Sequence, residues 1–429
     1  MGVSGIHSRT FARRRQRCRV ILPMQSSFLR TALVLGLLTA IGPFAIDMYL
    51  PALPSIGRGL GASVGAVQAS LMAFFLSMGV GQIIYGPVSD MVGRKLPLYF
   101  GLSRFGVSSI GCALAPDIQT LVALRFIQGL GASAGMVVPR AVVRDLHTGV
   151  DAARLMSMLM LVFSVCPIVA PLVGSLLTEW FGWRSVFWAV TVASLLGLAL
   201  LATSLRETRP PAQRVDSSVG SALAAYGLLL RDRHFLGLVF IGAFGISSFF
   251  AYLANSPFVL MNHFELSTRQ YGLAFAVNAA SFIGVSQFTR KLAKRFGLVS
   301  VVKVAVTGYA IVMTSLLVLT LMGVDRLAVL IGMLLLGFGF LGLVVPATSV
   351  LALDKHGAIA GTASALLGTL QLLCGALVMA VVGVFANGTP LPMVAGIAGS
   401  GLLAFTFSRF TLGAWHDAAT ASVPGKAAS

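Results

Sequence analysis

The chain has 429 residues, 57% of them hydrophobic and only 10% charged, and carries a formal net charge of +18. Soluble domains keep about a quarter of their residues charged, so this composition, with a mean hydropathy of +0.91, excludes an ordinary water-soluble fold. The excess of positive charge does not point to nucleic acid, because the basic residues occupy short breaks between apolar blocks rather than one solvated face.

The chain opens with a basic tail. Residues 1–25 contain Arg9, Arg13, Arg14, Arg15, Arg17 and Arg19, no acid, and no apolar core of the kind a secretory signal needs. A disordered cytoplasmic tail is expected, and Met24 stands as a second possible start just ahead of the first apolar block. Twelve apolar blocks follow, near 28–49, 65–85, 97–115, 119–139, 155–177, 184–204, 234–256, 269–289, 299–321, 327–349, 359–385 and 391–409. Each is close to the roughly 20 residues that cross a bilayer as a helix. The longest polar break, with Pro210 and Pro211, lies in the middle. The expected organisation is therefore a six-helix bundle over 26–204, a cytoplasmic linker over 205–233, a second six-helix bundle over 234–410, and a cytoplasmic tail over 411–429.

Charge sets the expected topology. With the N-terminus inside, 24 Lys and Arg fall in inner segments, and only Arg58, Arg184, Arg269 and Arg326 fall in outer ones. Positive residues concentrate on the cytoplasmic side, so both termini are expected there, in the inner (plasma) membrane. Two halves of six spans joined by a central linker suit a pseudo-symmetric protein with a site at the bilayer midplane.

Little suggests an enzyme. The four cysteines (Cys18, Cys112, Cys166 and Cys374) and six histidines form no metal-ligand spacing and no nucleophile–base pair. No nucleotide-binding loop of the G-x-x-x-x-G-K-[ST] form is present. Neither a cofactor nor a metal is expected.

Two residues inside the blocks call for a partner. Arg125 lies about six residues, or roughly 9 Å, into the fourth block. A charge at that depth costs several kcal/mol unless it is paired or hydrated; snorkelling to the outer interface is the alternative. Gln128 follows one turn later. Asp47, late in the first block, sits at a similar depth and is the expected partner of Arg125, with Tyr49 nearby as a cavity-lining candidate. Burial and a neighbouring arginine act on such a carboxyl in opposite senses, which suits a proton-exchanging group. The plainer alternative for Asp47 is a capping acid beside Pro51.

The string Gly86-Pro-Val-Ser-Asp-Met-Val-Gly-Arg-Lys95 matches G-x-x-x-D-x-x-G-R-K, with Gly86, Asp90, Gly93, Arg94 and Lys95 in place, and the fourth block reads Leu121-Val-Ala-Leu-Arg-Phe-Ile-Gln-Gly-Leu-Gly131. Both patterns resemble those of the major facilitator superfamily. Asp47-Met-Tyr-Leu-Pro-Ala-Leu-Pro54, Arg140 to Leu146 and Ala360-Gly-Thr-Ala-Ser364 resemble its bicyclomycin-resistance (Bcr/CflA) drug-efflux branch. The resemblance covers about 28–410. It implies an all-α polytopic membrane protein of twelve transmembrane helices in two six-helix pseudo-symmetric bundles. It also implies that the Gly86–Lys95 loop latches the halves on the inner side, where the start of the eleventh span offers free backbone N–H groups. The fifth block, Cys166 to Ser175, is similar to the antiporter pattern G-x-x-x-G-P-x-x-G-G through Pro171 and Gly174, but Cys166, Ala170 and Ser175 depart from it. Pro167 and Pro171 are expected to kink that helix.

Together these features lead to a monomeric secondary transporter that exports small drug-like compounds in exchange for protons and works in membrane lipid. The alternatives are a proton-coupled symporter or facilitator for a small nutrient, and a non-transporting membrane sensor or scaffold.

Overall fold

The computed structural model describes residues 22–147, 149–211, 214, 219–356 and 359–421, and these are helical almost throughout. The first half contains α1 (Leu22–Asp47), a short 3-10 turn (Leu50–Ala52) running into α2 (Leu53–Leu60), α3 (Val64–Val92), α4 (Lys95–Leu114), α5 (Ile118–Leu146), α6 (Gly149–Phe181) and α7 (Arg184–Ser204). After α8 (Val219–Arg231), the second half contains α9 (Arg233–Phe258), α10 (Thr268–Ser286), α11 (Thr289–Phe296), α12 (Leu298–Leu321), α13 (Leu327–Asp354), α14 (Ala360–Val384) and α15 (Pro390–Ala421).

Eleven of these helical stretches are long and apolar enough to cross a membrane. The twelfth of the bundle is α4, with 20 residues packed against α5 and α7. Lys95, Arg104 and three serines dilute its apolar content. Polar side chains start several helices where the first N–H groups lack partners. Ser63 caps α3, Asp117 caps α5, Asp232 caps α9, and Ser267 with Gln270 forms a capping box on α10.

The two halves repeat one packing scheme. In the first, α3 packs on α5, α4 on α5 and α7, and α1 on α5, α6 and α7. In the second, α10 packs on α13, α12 on α13 and α15, and α9 on α13, α14 and α15. The contacts between halves obey the same symmetry, since α3 meets α14 and its counterpart α10 meets α6. The fold is the expected pair of six-helix bundles. Close helix approach in the first half rests on Gly129 and Gly131. A Cβ on Gly129 would overlap the Phe74 carbonyl of α3, and one on Gly131 would press on Gly101 and Phe105 of α4.

Several edges differ from expectation. Residues 22–25 belong to α1, and α15 continues past 410 to Ala421, so neither stretch is a loose tail. The rest of the basic tail and residues 422–429 lie outside the described residues. The linker holds a 13-residue helix, α8, which touches α9 and α14. Gly86, the first residue of the Gly86–Lys95 loop motif, does not lie in a loop; it sits inside α3, which stays helical through Pro87 to Val92. The turn belongs to Gly93 alone, at φ +95°.

One face of the bundle carries the Arg- and Lys-rich loops and is called the basic face below. At the opposite face the halves are closed on each other. The turn Leu50–Ala52 is buried against α9 and α10. Gln68 Nε2 donates to Asn255 Oδ1 (2.9 Å) and to the Ala254 carbonyl (3.1 Å). Ser175 Oγ donates to the Thr268 carbonyl at 3.0 Å, and Arg269 pairs with Glu179 at 3.0 Å.

Candidate functional site

Arg125 is fully buried. Its Nη1 donates to Gln128 Oε1 (2.6 Å), and Gln128 Nε2 donates to Ser109 Oγ on α4 (2.6 Å). Arg125 and Gln128 share a face because they are one helical turn apart. Nε and Nη2 of Arg125 have no hydrogen-bond partner. The guanidinium lies instead between two rings, 4.4 Å from the centre of Tyr49 and 4.2 Å from that of Phe74. Arginine over desolvated aromatic faces is held by the ring quadrupoles, at about 2 kcal/mol per contact. Tyr49 is fixed in turn by a 2.7 Å hydrogen bond between its hydroxyl and Ser70 Oγ, and by Phe187 at 5.4 Å between ring centres.

Asp47 ends α1 and is buried. Contrary to expectation it forms no ion pair with Arg125. Asp47 and Tyr49 are two residues apart at a helix end, so their side chains leave on roughly opposite sides. Tyr49 turns into the first half toward Arg125. Asp47 turns toward α6 and α10, within electrostatic reach of Cys166 and Tyr271. Snorkelling is also ruled out for Arg125 in this structure, since no part of its side chain reaches the surface.

In the fifth span, α6 runs as one helix through Pro167 and Pro171. Gly174 allows the chain just after α1 to lie directly on it, because a Cβ there would overlap the Met48 carbonyl. Ser175, one of the departures from the antiporter pattern, bonds to the Pro171 carbonyl at 2.7 Å and bridges to α10.

At the basic face, Arg94 is almost wholly buried and is the centre of a network. Its Nη1 contacts Asp90 Oδ1 at 2.7 Å and Ser89 Oγ at 2.8 Å. Its Nε and Nη2 grip both oxygens of Asp145, at the end of α5, at 2.7 and 3.1 Å. Burial works against the charge of Arg94, but the Asp145 and Asp90 carboxylates outweigh it and hold its pKa above the usual arginine value. Arg209 Nη1 also reaches Asp90 Oδ1, at 3.3 Å. Glu207 accepts the backbone N–H groups of Arg94 (2.9 Å) and Lys95 (3.1 Å), the first of α4. The Lys95 ammonium lies 5.7 Å over the Tyr99 ring. Across from this network, α14 starts at Ala360 with no side-chain cap.

Asp145, Glu207 and Arg209 were missed from sequence, because each read as ordinary loop charge. Phe74 was missed as one apolar residue among 28 phenylalanines. The cross-half partnership of Gln68 and Asn255 left no sequence signal, since it joins residues 187 positions apart.

Comparison with known proteins gives a consistent result. The sequence profile described as Major Facilitator Superfamily matches residues 35–379. The chain is 38% identical over 373 residues to the "Uncharacterized MFS-type transporter YdgK" of Bacillus subtilis, covering 86% of this chain and 92% of that protein. It is 28% identical to the "Bicyclomycin resistance protein homolog" of Haemophilus influenzae (84% and 91% covered). It is 29% identical to the Escherichia coli "Multidrug resistance protein D" (79% and 84% covered). In fold it resembles the crystal structure of a D-xylose-proton symporter, with a TM-score of 0.69, 18% identity, and 89% and 97% of the two chains covered.

Proposed function

We propose that this chain, which belongs to the Major Facilitator Superfamily, exports small drug-like compounds across the cytoplasmic membrane in exchange for protons. The observation that carries the proposal is Asp47. It is a buried carboxyl at the end of α1, beside the closure between the halves, and no cation holds it among the described residues. A carboxyl left without a fixed counter-ion can take up and release a proton as the face it senses changes. The relatives named for bicyclomycin and multidrug resistance support drug-like cargo.

The basic face is taken as cytoplasmic, in line with the positive-inside bias. On that orientation the outer side is the closed one, held by Gln68–Asn255 and the Leu50–Ala52 turn. The two halves, 26–204 and 234–410, rock about the paired α3–α14 and α6–α10 contacts, and the linker over 205–233 joins them as a monomer. In the outward-facing state a proton binds an Asp47 oxygen. After rocking it leaves to the cytoplasm, and a neutral or cationic compound takes its place near Asp47. Arg125, Gln128 and Tyr49 form the stiff wall behind this site. On the inner side Asp90 reaches the uncapped start of α14 when that side closes, as a carboxylate suits a helix N-terminus.

The test is proton-driven efflux of chloramphenicol and bicyclomycin from cells and everted vesicles carrying wild type or Asp47→Asn. The asparagine has the same shape and cannot exchange a proton. Net efflux is expected to disappear while drug exchange at equal concentration persists. Unchanged proton-driven efflux in Asp47→Asn would remove Asp47 from the mechanism.

A further inference from the structure

Asp47 and Tyr271 come from different halves and meet at one level of α6. The Met48 carbonyl, next to Asp47, lies on Gly174 of α6. Gly272, next to Tyr271, lies on the same turns of α6, where a Cβ would stand 2.9 Å from Ser175 Oγ and 3.4 Å from the Pro171 carbonyl. The end of α1 and the start of α10 thus clamp α6 between them. Tyr271 is fully buried and stands within electrostatic reach of Asp47. The other titratable groups at this level are engaged elsewhere. Cys166 Sγ of α6 donates to the Val162 carbonyl at 3.5 Å, and Glu179 of α6 pairs with Arg269 of α10. Arg184 of α7 donates to the Ala115 carbonyl, and Arg125 of α5 lies over Tyr49.

Behind Tyr271 runs a chain of fully buried polar groups. Its hydroxyl lies 3.3 Å from Ser256 Oγ of α9. Ser256 is one turn from Tyr252 and stands beside the Tyr252 hydroxyl. Asn278 Nδ2 of α10 donates to that hydroxyl at 3.1 Å. An amide NH2 can only donate, whereas a hydroxyl accepts one bond and passes one on. The amide therefore sets the direction of every O–H. Tyr252 donates to Ser256 and Ser256 to Tyr271. The Tyr271 O–H is left to donate, at the end of the chain nearest Asp47.

We propose that Tyr271 is the positioning residue for proton release from Asp47: with the outer side closed, its directed O–H donates to the ionised carboxylate and lets the proton go. Apolar surroundings alone favour the uncharged form of any carboxyl. A donor offsets this, because a hydrogen bond to an ionised oxygen is roughly twice as strong as a neutral one. The chain belongs to the second half and Asp47 to the first. Opening the outer side parts them, and Asp47 takes up a proton from outside with no such donor. Closing brings the donor back. Tyr271 keeps its own proton throughout, and the proton that leaves Asp47 goes to cytoplasmic water. This inference rests on the reading of Asp47 as the proton carrier.

The experiment separates the two. Full-length protein in lipid nanodiscs, without drug, is titrated while infrared difference spectra follow the carboxylic C=O band that Asp47→Asn removes. Tyr271→Phe keeps the ring beside Phe275 and loses only the hydroxyl. In that variant the band is expected to persist to a pH about one unit higher than in wild type. This is about tenfold in proton release, the lower end of what a hydrogen bond to a charged group carries. Ser256→Ala breaks the chain without touching Asp47 and should move the band the same way by less. An unmoved titration in Tyr271→Phe overturns the proposal and leaves Asp47 as the carrier. A shift in Tyr271→Phe with none in Ser256→Ala overturns the directed chain. If Asp47→Asn removes no titrating band, Asp47 is not the carrier and the inference falls with it. A merely structural Tyr271 would lower the unfolding temperature of Tyr271→Phe and leave the titration where it was, which also overturns the proposal.

Discussion

Gln68 on α3 donates to Asn255 on α9 at 2.9 Å, and this buried bond joins the two halves across the closed face. It is the polar counterpart of the Phe75–Phe250 contact, whose rings sit 4.5 Å apart on the same pair of helices. Both residues would have to separate for the outer side to open.

Replacing Asn255 by Ala should therefore favour the outward-facing state. A net hydrogen bond contributes about 1 kcal/mol, or roughly fivefold in a two-state equilibrium. Gln68 then keeps only its bond to the Ala254 carbonyl in the closed state, with its Oε1 already lacking a partner. A cysteine in place of Ala52, fully buried in this structure, is the reporter. Its labelling by a membrane-impermeant maleimide added outside should rise about fivefold in Asn255→Ala. No change in labelling would mean that this bond does not hold the closed face.

Arg125 has rings and an amide for partners but no carboxylate. Its charge is thus buried at a cost that an apolar residue would not bear. Arg125→Met, of similar length, should change folding stability by no more than about 1 kcal/mol in either direction, loss of the Gln128 bond and of the Tyr49 and Phe74 ring contacts offsetting relief of the buried charge. Transport should be lost all the same. Denaturation in detergent together with vesicle efflux tests both halves of this expectation. A large stability loss would show the guanidinium to be a packing element first.

The Glu207 bonds to the start of α4 have a pH limit. Burial alone would raise the pKa of Glu207, but the N–H groups of Arg94, Arg209 and Lys95 and the Arg214 charge hold it below the usual carboxylate value. A depressed acid contributes stability that is fully present above its unfolded pKa, about 4.3, and lost as the pH falls through the folded value. Hydrogen exchange at the Arg94 and Lys95 amides should stay slow, after correction for intrinsic rates, from neutral pH down to about 4. It should quicken only below that. Protection lost between pH 7 and 5 would contradict the carboxylate cradle.

Much of the fold was legible because it depends on one-dimensional quantities. Block length gave the spans, charge bias gave their alternation, and the long break before Arg233 gave the division into halves. The site was legible only in part. Arg125, Gln128 and Tyr49 do come together, and a single helix and a nearby turn suffice to bring them there. The Asp47–Arg125 pair failed because depth in the membrane is readable from sequence while azimuth around a helix end is not. Tyr49 took the place given to Asp47. The Arg94 network failed in the other direction. Asp90 read as the lone acid of its loop, yet Asp145 and Glu207 are 55 and 117 residues further along the chain. Partners so distant cannot be inferred from spacing.

The two motif glycines should respond with opposite signs. Gly86 lies within α3, with open space where a Cβ would stand. Alanine there replaces the weakest ordinary helix former with the strongest, so Gly86→Ala should stabilise by roughly 0.5–1 kcal/mol and leave transport intact. Gly93 has φ +95°, and a Cβ would lie 2.7 Å from Glu207 Oε2 and closer still to Arg214. Gly93→Ala should cost about 1–3 kcal/mol through backbone strain. It should also displace Glu207 and Arg214, which expose the chain at Arg214 to trypsin. Limited proteolysis and thermal unfolding of the two variants side by side test the contrast. Equal behaviour of Gly86→Ala and Gly93→Ala would mean that the linker does not lie on the α3–α4 turn.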